Sequence, residues 1–469
     1  MNILSDRFSE IKKASEPLYR TPKSVQETVE ILKISEGGIF EVAEGRYSKT
    51  YRFSDVNYAT RTENEQESFF QKYCKCLNSF DCTFKITVNN KNRDMEALRN
   101  EVMLGLRNDG FDEMRESYNR IIEEKILEGR QGIEQERYIT VTVKRKNFEE
   151  AKAQFATIES TMFKSFAELG SRLTPLSGNE RLRILHDYYR LGREDEFNFD
   201  IRKGKITGTD FRNEICNSSI KYYPNCFEDE GKVGRVLFIK KYPTYLSDRF
   251  FTELTFLPVH SITSVDVVPV PKDLTMKMLQ KKYLGIESDI IKQQRTRNRN
   301  NDFSSDISYS TRQKKRDIEE IMNNVRENDE SLFYVSVTMI VMAESRKELN
   351  SICKTIDSIA KGAGCAVDTY MYKQREAVNT TLPIGVRQIE TMRTMLTQSL
   401  AVLMPFNVQE LCDRDGIYYG VNQISRNIIV GNRKKLLNGN GFIFGVSGAG
   451  KSFQAKMEMG SVLCRQRTM

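Results

Sequence analysis

The residues best equipped for chemistry lie near the C-terminal end of the sequence. There Gly445-Val446-Ser447-Gly448-Ala449-Gly450-Lys451-Ser452 fits the pattern G-x-x-x-x-G-K-[ST] of a phosphate-binding loop. Glycines at 445, 448 and 450 let successive backbone N–H groups turn inward around a β-phosphate, where a Cβ would obstruct. A helix beginning near Lys451 adds the positive end of its dipole. Lys451 would reach the β- and γ-phosphates of ATP as a point charge, and the Ser452 hydroxyl would ligate Mg²⁺. Val446, Ser447, Ala449 and Phe453 complete the expected set of nucleotide-contacting residues. In a chain of 469 residues the pattern arises by chance only about a few per cent of the time.

Other reactive side chains carry less. Cys74, Cys76 and Cys82 are close in sequence, but no histidine or second cysteine pair accompanies them and the spacing does not suit tetrahedral zinc, so buried thiols are expected. His186, beside Asp187, reads as a helix-surface residue, and His260 precedes a strand without a serine, cysteine or carboxylate constellation. Neither is expected to catalyse.

The loop needs a strand to deliver it and a helix to leave it. Phe442-Ile443-Phe444 reads as a short buried strand, and Ala455, Met459, Val462 and Leu463 keep helical spacing beyond it. The change to short apolar runs punctuated by Gly and Asn places a domain boundary near Pro405, so that 405–469 begins an α/β P-loop NTPase domain.

Upstream, residues 1–30 read as a polar tail and 31–404 as an α+β docking region, with helices packed on one face of a mostly antiparallel sheet. Extended runs flank Glu44-Gly45, a helix is expected over "NEQESFFQKYCKCLNSF", and Phe84, Ile86 and Val88 alternate as in a half-buried strand. Two strand-then-helix units, at about 136–190 and 331–385, share a layout that suggests an internal repeat, and Ser345 is the expected cap of the second helix. Further strands are expected at "GRVLFIKKYP" and "SITSVDVVPVP". Between the units, a basic insertion at about 286–316 carries Lys292, Arg295, Arg297, Arg299, Arg312, Lys314, Lys315 and Arg316. It could contact nucleic acid or anionic lipid. The scarcity of aromatic residues for base stacking favours a solvated connector.

Lys+Arg exceed Asp+Glu by 72 − 64 = 8, a mild basic balance short of a dedicated nucleic-acid signature. Hydrophobic residues make up 39%, ordinary for a globular chain. Nine scattered cysteines indicate a reduced, cytoplasmic setting, and no apolar run approaches the roughly 18 residues needed to span a bilayer.

The ordered series "YRFSDVNYATRTENEQESFFQKYCKCLNSFDCTFKITVNN", "GRVLFIKKYPTYLSDRFFTEL", "NTTLPIG", "LMPF", "GIYYGVNQIS" and "GFIFGVSGAGKS" resembles the conjugative type IV secretion ATPases of the VirB-four kind, including TraE-like and TrbE-like proteins. The resemblance is spread over most of the chain. It implies a hexameric ATP-hydrolysing motor, peripheral at the cytoplasmic face of the cell membrane, without an integral membrane segment. The implied partners are the inner-membrane components of the secretion complex and, indirectly, the coupling protein and the DNA substrate. Only Gly445 through Ser452 carry over by motif. The family's metal-binding acid, water-activating carboxylate and trans-acting arginine lie downstream of the P-loop, and this sequence closes 469 − 452 = 17 residues after Ser452. The expectation is therefore a truncated member, with a docking and assembly subunit lacking hydrolysis as the alternative.

Overall fold

The computed structural model describes residues 22–92, 99–100, 102–128, 133–243, 245–299, 309–408, 411, 413, 416–422, 427–436 and 438–465. Strands β1 (Lys33–Ile34) and β2 (Ile39–Ala43) lead into β3 (Arg46–Phe53), α1 (Glu63–Asn78), β4 (Thr83–Asn92), an insertion bearing α2 (Asp112–Glu128), β5 (Ile133–Lys144), α3 (Phe148–Leu169) and β6 (Leu173–Pro175). A connection follows, with α4 (Gly178–Tyr189), α5 (Ile201–Thr207), α6 (Phe211–Ile215), β7 (Ile220–Tyr222) and β8 (Phe227–Asp229). The same succession then recurs as β9 (Lys232–Lys241), α7 (Arg249–Thr255), β10 (Ser261–Val270), an insertion of α8 (Lys272–Arg299) and α9 (Tyr309–Glu327), β11 (Leu332–Ala343), α10 (Arg346–Gly362) and β12 (Ala366–Thr369). The chain continues through α11 (Gln374–Thr381), β13 (Arg393–Leu396), α12 (Thr397–Ala401), β14 (Ile417–Val421), β15 (Ile428–Gly431) and α13 (Lys451–Arg465).

The pairing makes the duplication explicit. In the first half the strands lie in the order β6-β3-β5-β4, and in the second β12-β9-β11-β10, all antiparallel. Each half is thus a split β-α-β-β-α-β unit of the ferredoxin-like kind. The equivalent strands β4 and β10 join the halves, with Ile86 opposite Val265 and Thr87 opposite Ser264, so one 13-stranded sheet forms among the described residues. The ranges 136–190 and 331–385 take in most of the second halves of these repeats and run on into α4 and α11, which lie outside them.

Local chemistry explains the elements. A Thr62–Glu65 capping box starts α1, the Asn147 side chain accepts from the Glu150 N–H at the start of α3, and Ser345 accepts from the Glu348 N–H at 3.2 Å. Gly170 ends α3 at φ +78°, a left-handed conformation open to glycine. On one sheet face, Phe84, Ile86, Val141, Val265 and Val337 form a core with Phe69 and Tyr73 of α1, Phe155 and Phe166 of α3, Phe251 of α7 and Leu349 of α10. Each such side chain contributes roughly 1.5–3 kcal/mol on full burial.

Several expectations need correcting. Helices cover both faces, because α4, α5, α6 and α11 pack through Leu182, Leu185, Ile201, Ile215 and Val378 against Phe40, Val236, Ile262 and Ile340 on the opposite side. Residues 22–30 are not tail, since Val25 and Val29 are buried in that second core; residues 1–21 lie outside the described residues. Pro405 marks no boundary in packing. Phe406 is in edge contact with Phe69 and Tyr73 at 5.4 and 5.7 Å, and the Pro405 carbonyl accepts from Arg137 Nε at 2.7 Å, so the first body extends through Val408. The texture changes earlier than the fold does, because "LMPF" is a core segment followed by loops.

Strand β4 is buried on both sides rather than half-buried. Lys85, Thr87 and Asn89 face a layer that also holds Ser48, Thr50, Thr140 and Ser264. The "NTTLPIG" segment lies across this layer: Lys85 Nζ donates to the carbonyls of Thr380, Leu382 and Val386, and Ser264 Oγ to that of Thr381. The buried Arg181 guanidinium donates to the carbonyls of Gly38 and Ser48 at 2.9 and 2.8 Å and reaches that of Pro383 at 3.4 Å. Ser48, Thr50, Lys85, Thr140 and Ser264 are tolerated there because the main-chain oxygens of one strap accept from them.

Candidate functional site

The glycine-rich loop sits on a small satellite body. Val102, Leu104, Tyr118 and Ile122, from the insertion of the first repeat, enclose Ile428 and Val430 of β15 and Cys464 of α13. Arg115 fixes the junction by donating from Nε to the Cys464 carbonyl at 3.2 Å while pairing with Asp109 and Asp112 at 2.5 and 2.6 Å. Its guanidinium holds the Asp109 carboxyl down to about 2. Glu458, one face of α13 away, accepts from Tyr419 Oη at 2.8 Å and pairs with Arg433 at 2.9 Å. Sequence reasoning missed Arg115, Tyr419, Arg433 and Glu458, whose pairing depends on segments that are distant in the chain.

The helix of the expected loop-helix is present as α13, beginning at Lys451. Gly448 and Gly450 both adopt φ +80°, the left-handed region that L side chains disfavour by roughly 1–2 kcal/mol. Those turns fold the loop back on itself, and the Ala449 N–H donates to the Val446 carbonyl at 3.2 Å. Lys451 Nζ donates to the carbonyls of Gly445 and Val446, both at 2.7 Å. The ammonium is therefore held over the loop by the loop's own oxygens, at the dipole-positive end of a 15-residue helix. Ser447, Ser452 and Phe453 are exposed beside it, as are Gly445, Val446 and Ala449. All nine residues expected to contact nucleotide thus belong to one continuous, solvent-facing loop and first helical turn.

Two features differ from expectation. Phe442-Ile443-Phe444 forms no strand, and Phe442 and Phe444 are 84% and 87% exposed. A buried strand of a P-loop sheet needs neighbours on both sides, and none is supplied among the described residues. The helix is also turned. Ser461 and Cys464 are the buried positions, whereas Met459 and Leu463, on the expected apolar stripe, are 70% and 51% exposed.

The other candidates lie elsewhere. Cys74 and Cys76 are buried on α1 within the first core, and burial pushes the thiols of Cys74, Cys76 and Cys82 up to about 12. His186 is not on the surface: it is 1% exposed, tilted against Phe197 at 5.1 Å. Burial, and to a lesser degree Lys232, pushes the imidazole of His260 down to about 4, so the ring is neutral at pH 7. Of the basic insertion, 286–299 and 309–316 are helical, in α8 and α9, and Lys315 pairs with Glu287 at 3.1 Å; residues 300–308 lie outside the described residues. No helix among the described residues is long and apolar enough to cross a membrane. No protein-family model matches the chain, and no curated protein matches it.

Proposed function

We propose that this chain binds ATP with Mg²⁺ through Gly445–Ser452, as the nucleotide-binding component of a conjugative type IV secretion apparatus. The observation that carries the binding is the pair of left-handed glycines, Gly448 and Gly450, turning the loop into the N-terminus of α13 with Lys451 Nζ already above it. A β-phosphate would replace the Gly445 and Val446 carbonyls as the partner of Lys451, exchanging two neutral acceptors for a charged one. The Ser452 hydroxyl would take one Mg²⁺ position.

The assembly role rests on the resemblance: hydrolysis in a hexamer, coupled to secretion-complex assembly and DNA transfer, at the cytoplasmic face of the membrane. The duplicated sheet would supply the docking body, which makes up most of the described chain. Hydrolysis also needs an acid orienting the metal and a group positioning the attacking water. A docking subunit without turnover is therefore the second reading, favoured by the exposure of the whole loop.

Titration of the full chain with a fluorescent ATP analogue, with and without Mg²⁺, tests the binding. Saturable, Mg²⁺-dependent binding that Lys451→Ala weakens by at least about tenfold is expected, and binding indifferent to this substitution would overturn the proposal. Capture of inner-membrane secretion components by both wild type and Lys451→Ala would separate docking from nucleotide chemistry.

A further inference from the structure

A cavity of about 660 Å³ opens where the two repeats join, far from the glycine loop in sequence. Its floor is formed by β3, β5, β4, β10 and β11 on the polar side of the sheet, and its walls by the first turns of α8 and the strap at 385–390. The volume falls in the range of about 300–1,000 Å³ that small-molecule sites occupy. Val268, Leu274, Met278 and Val386 make part of the lining apolar.

The charges around it are one-sided. Asp266 is a carboxylate in the lining, but Arg387 already holds it with two hydrogen bonds, at 2.5 and 2.7 Å. Lys85 is spent on the three strap carbonyls. Arg46, Lys144, Lys277, Lys281 and Lys282 also line the space, against Glu390. Arg46 is the informative one. Its guanidinium is partly buried, faces the like charge of Arg387, and pairs with no carboxylate among the described residues; burial and Arg387 together push its pKa down. A partly desolvated cation beside another cation is costly unless an anion completes the site.

The geometry points to a binding site in this cavity for a single-chain anionic amphiphile, a carboxylate or phosphate head on an apolar body. The head meets Arg46 and Lys144 while the chain lies along Val268, Leu274 and Met278. The site is independent of the glycine loop.

Calorimetric titration of the full chain with laurate and dodecyl phosphate, below their aggregation concentrations, tests this. Both bind with one-to-one stoichiometry, Arg46→Ala weakens them by about tenfold or more, and Met278→Trp, which fills the cavity without altering charge, abolishes binding. Lys451→Ala leaves it unchanged. Dodecanol binding as tightly as laurate would overturn the anionic half of the assignment, and inorganic phosphate binding as tightly as dodecyl phosphate would overturn the apolar half. Binding only to vesicles of phosphatidylglycerol, with none to the free amphiphiles, would overturn the enclosed site and point to a lipid surface. Arg46→Ala is expected to melt no lower than wild type, because it removes an unpaired charge, so lost binding reports the site and not the fold.

Discussion

The buried polar layer of the sheet and the glycine loop both depend on backbone carbonyls meeting cations, yet they are built in opposite ways. In the sheet, Lys85 and Arg181 reach strap carbonyls some 200–300 positions away in the chain, at |i−j| of 295 for Thr380 and 202 for Pro383. In the loop, Lys451 reaches carbonyls five and six residues back, at the surface. The first arrangement exists only when the whole duplicated body is folded, so it carries global stability. The second is local and solvated, so it is free to exchange its partners for a ligand. Substitutions should therefore separate the two regions cleanly.

The largest effect is expected at the Asp266–Arg387 pair, where Asp266 is nearly inaccessible and its partner only 15% exposed. Asp266→Ala leaves a buried guanidinium unmatched and should cost roughly 3–5 kcal/mol, read from denaturant midpoints at unchanged slope. A loss under 1 kcal/mol would break the claim that this layer holds the body together. Next comes acid. His260 is held neutral with a pKa of about 4 against 6.5 in an unfolded chain, so the unfolded state binds more protons between those values. Stability is then fully present above about pH 6.5 and falls as pH drops toward 4, by on the order of 3 kcal/mol. His260→Leu should flatten that part of the stability–pH curve.

Gly385 sharpens the contrast further. It adopts φ +86°, and a Cβ there would approach Thr142 Oγ1 to 2.5 Å and Ser48 Cβ to 2.6 Å. Gly385→Ala should cost at least about 2 kcal/mol and lower the melting temperature. At the small end, Lys451→Ala should change stability by no more than about 0.5 kcal/mol while weakening the proposed nucleotide binding by at least about tenfold. A large drop in its melting temperature would show that the loop is structural after all.

This difference also decides what the sequence could reveal. The loop was legible because every group it uses lies within eight consecutive residues, and glycine at 448 and 450 is a local requirement. The strand-helix units were legible because an alternating strand followed by a capped, amphipathic helix is written locally, as at Leu332–Ala343 and Arg346–Gly362. The symmetric joining of β4 to β10 was not, since pairing across such a separation leaves no local mark. Lys85 imitates a wetted face, because polarity satisfied by a distant strap looks the same in sequence as polarity satisfied by water. The error at Phe442–Phe444 is the converse: apolar residues signal burial only where something exists to cover them. Arg46 carried no signal, as its meaning comes from neighbours on other strands.

The antiparallel seam between the repeats has a consequence for how such a chain diversifies. Asn90, near the end of β4, lies opposite Ser261 at the start of β10, and Val267, late in β10, lies opposite Phe84 at the start of β4. The two equivalent hairpin connections therefore leave from opposite ends of the seam. Lengthening either one leaves the shared sheet intact, and turn positions of this kind are where added chain is best tolerated. Each repeat has its own outlet: one carries the shelf that seats α13, the other a helical arm with a 28-residue first helix. Two equivalent turns thus carry two unlike appendages at opposite ends of one seam, and either can change in length without disturbing the other.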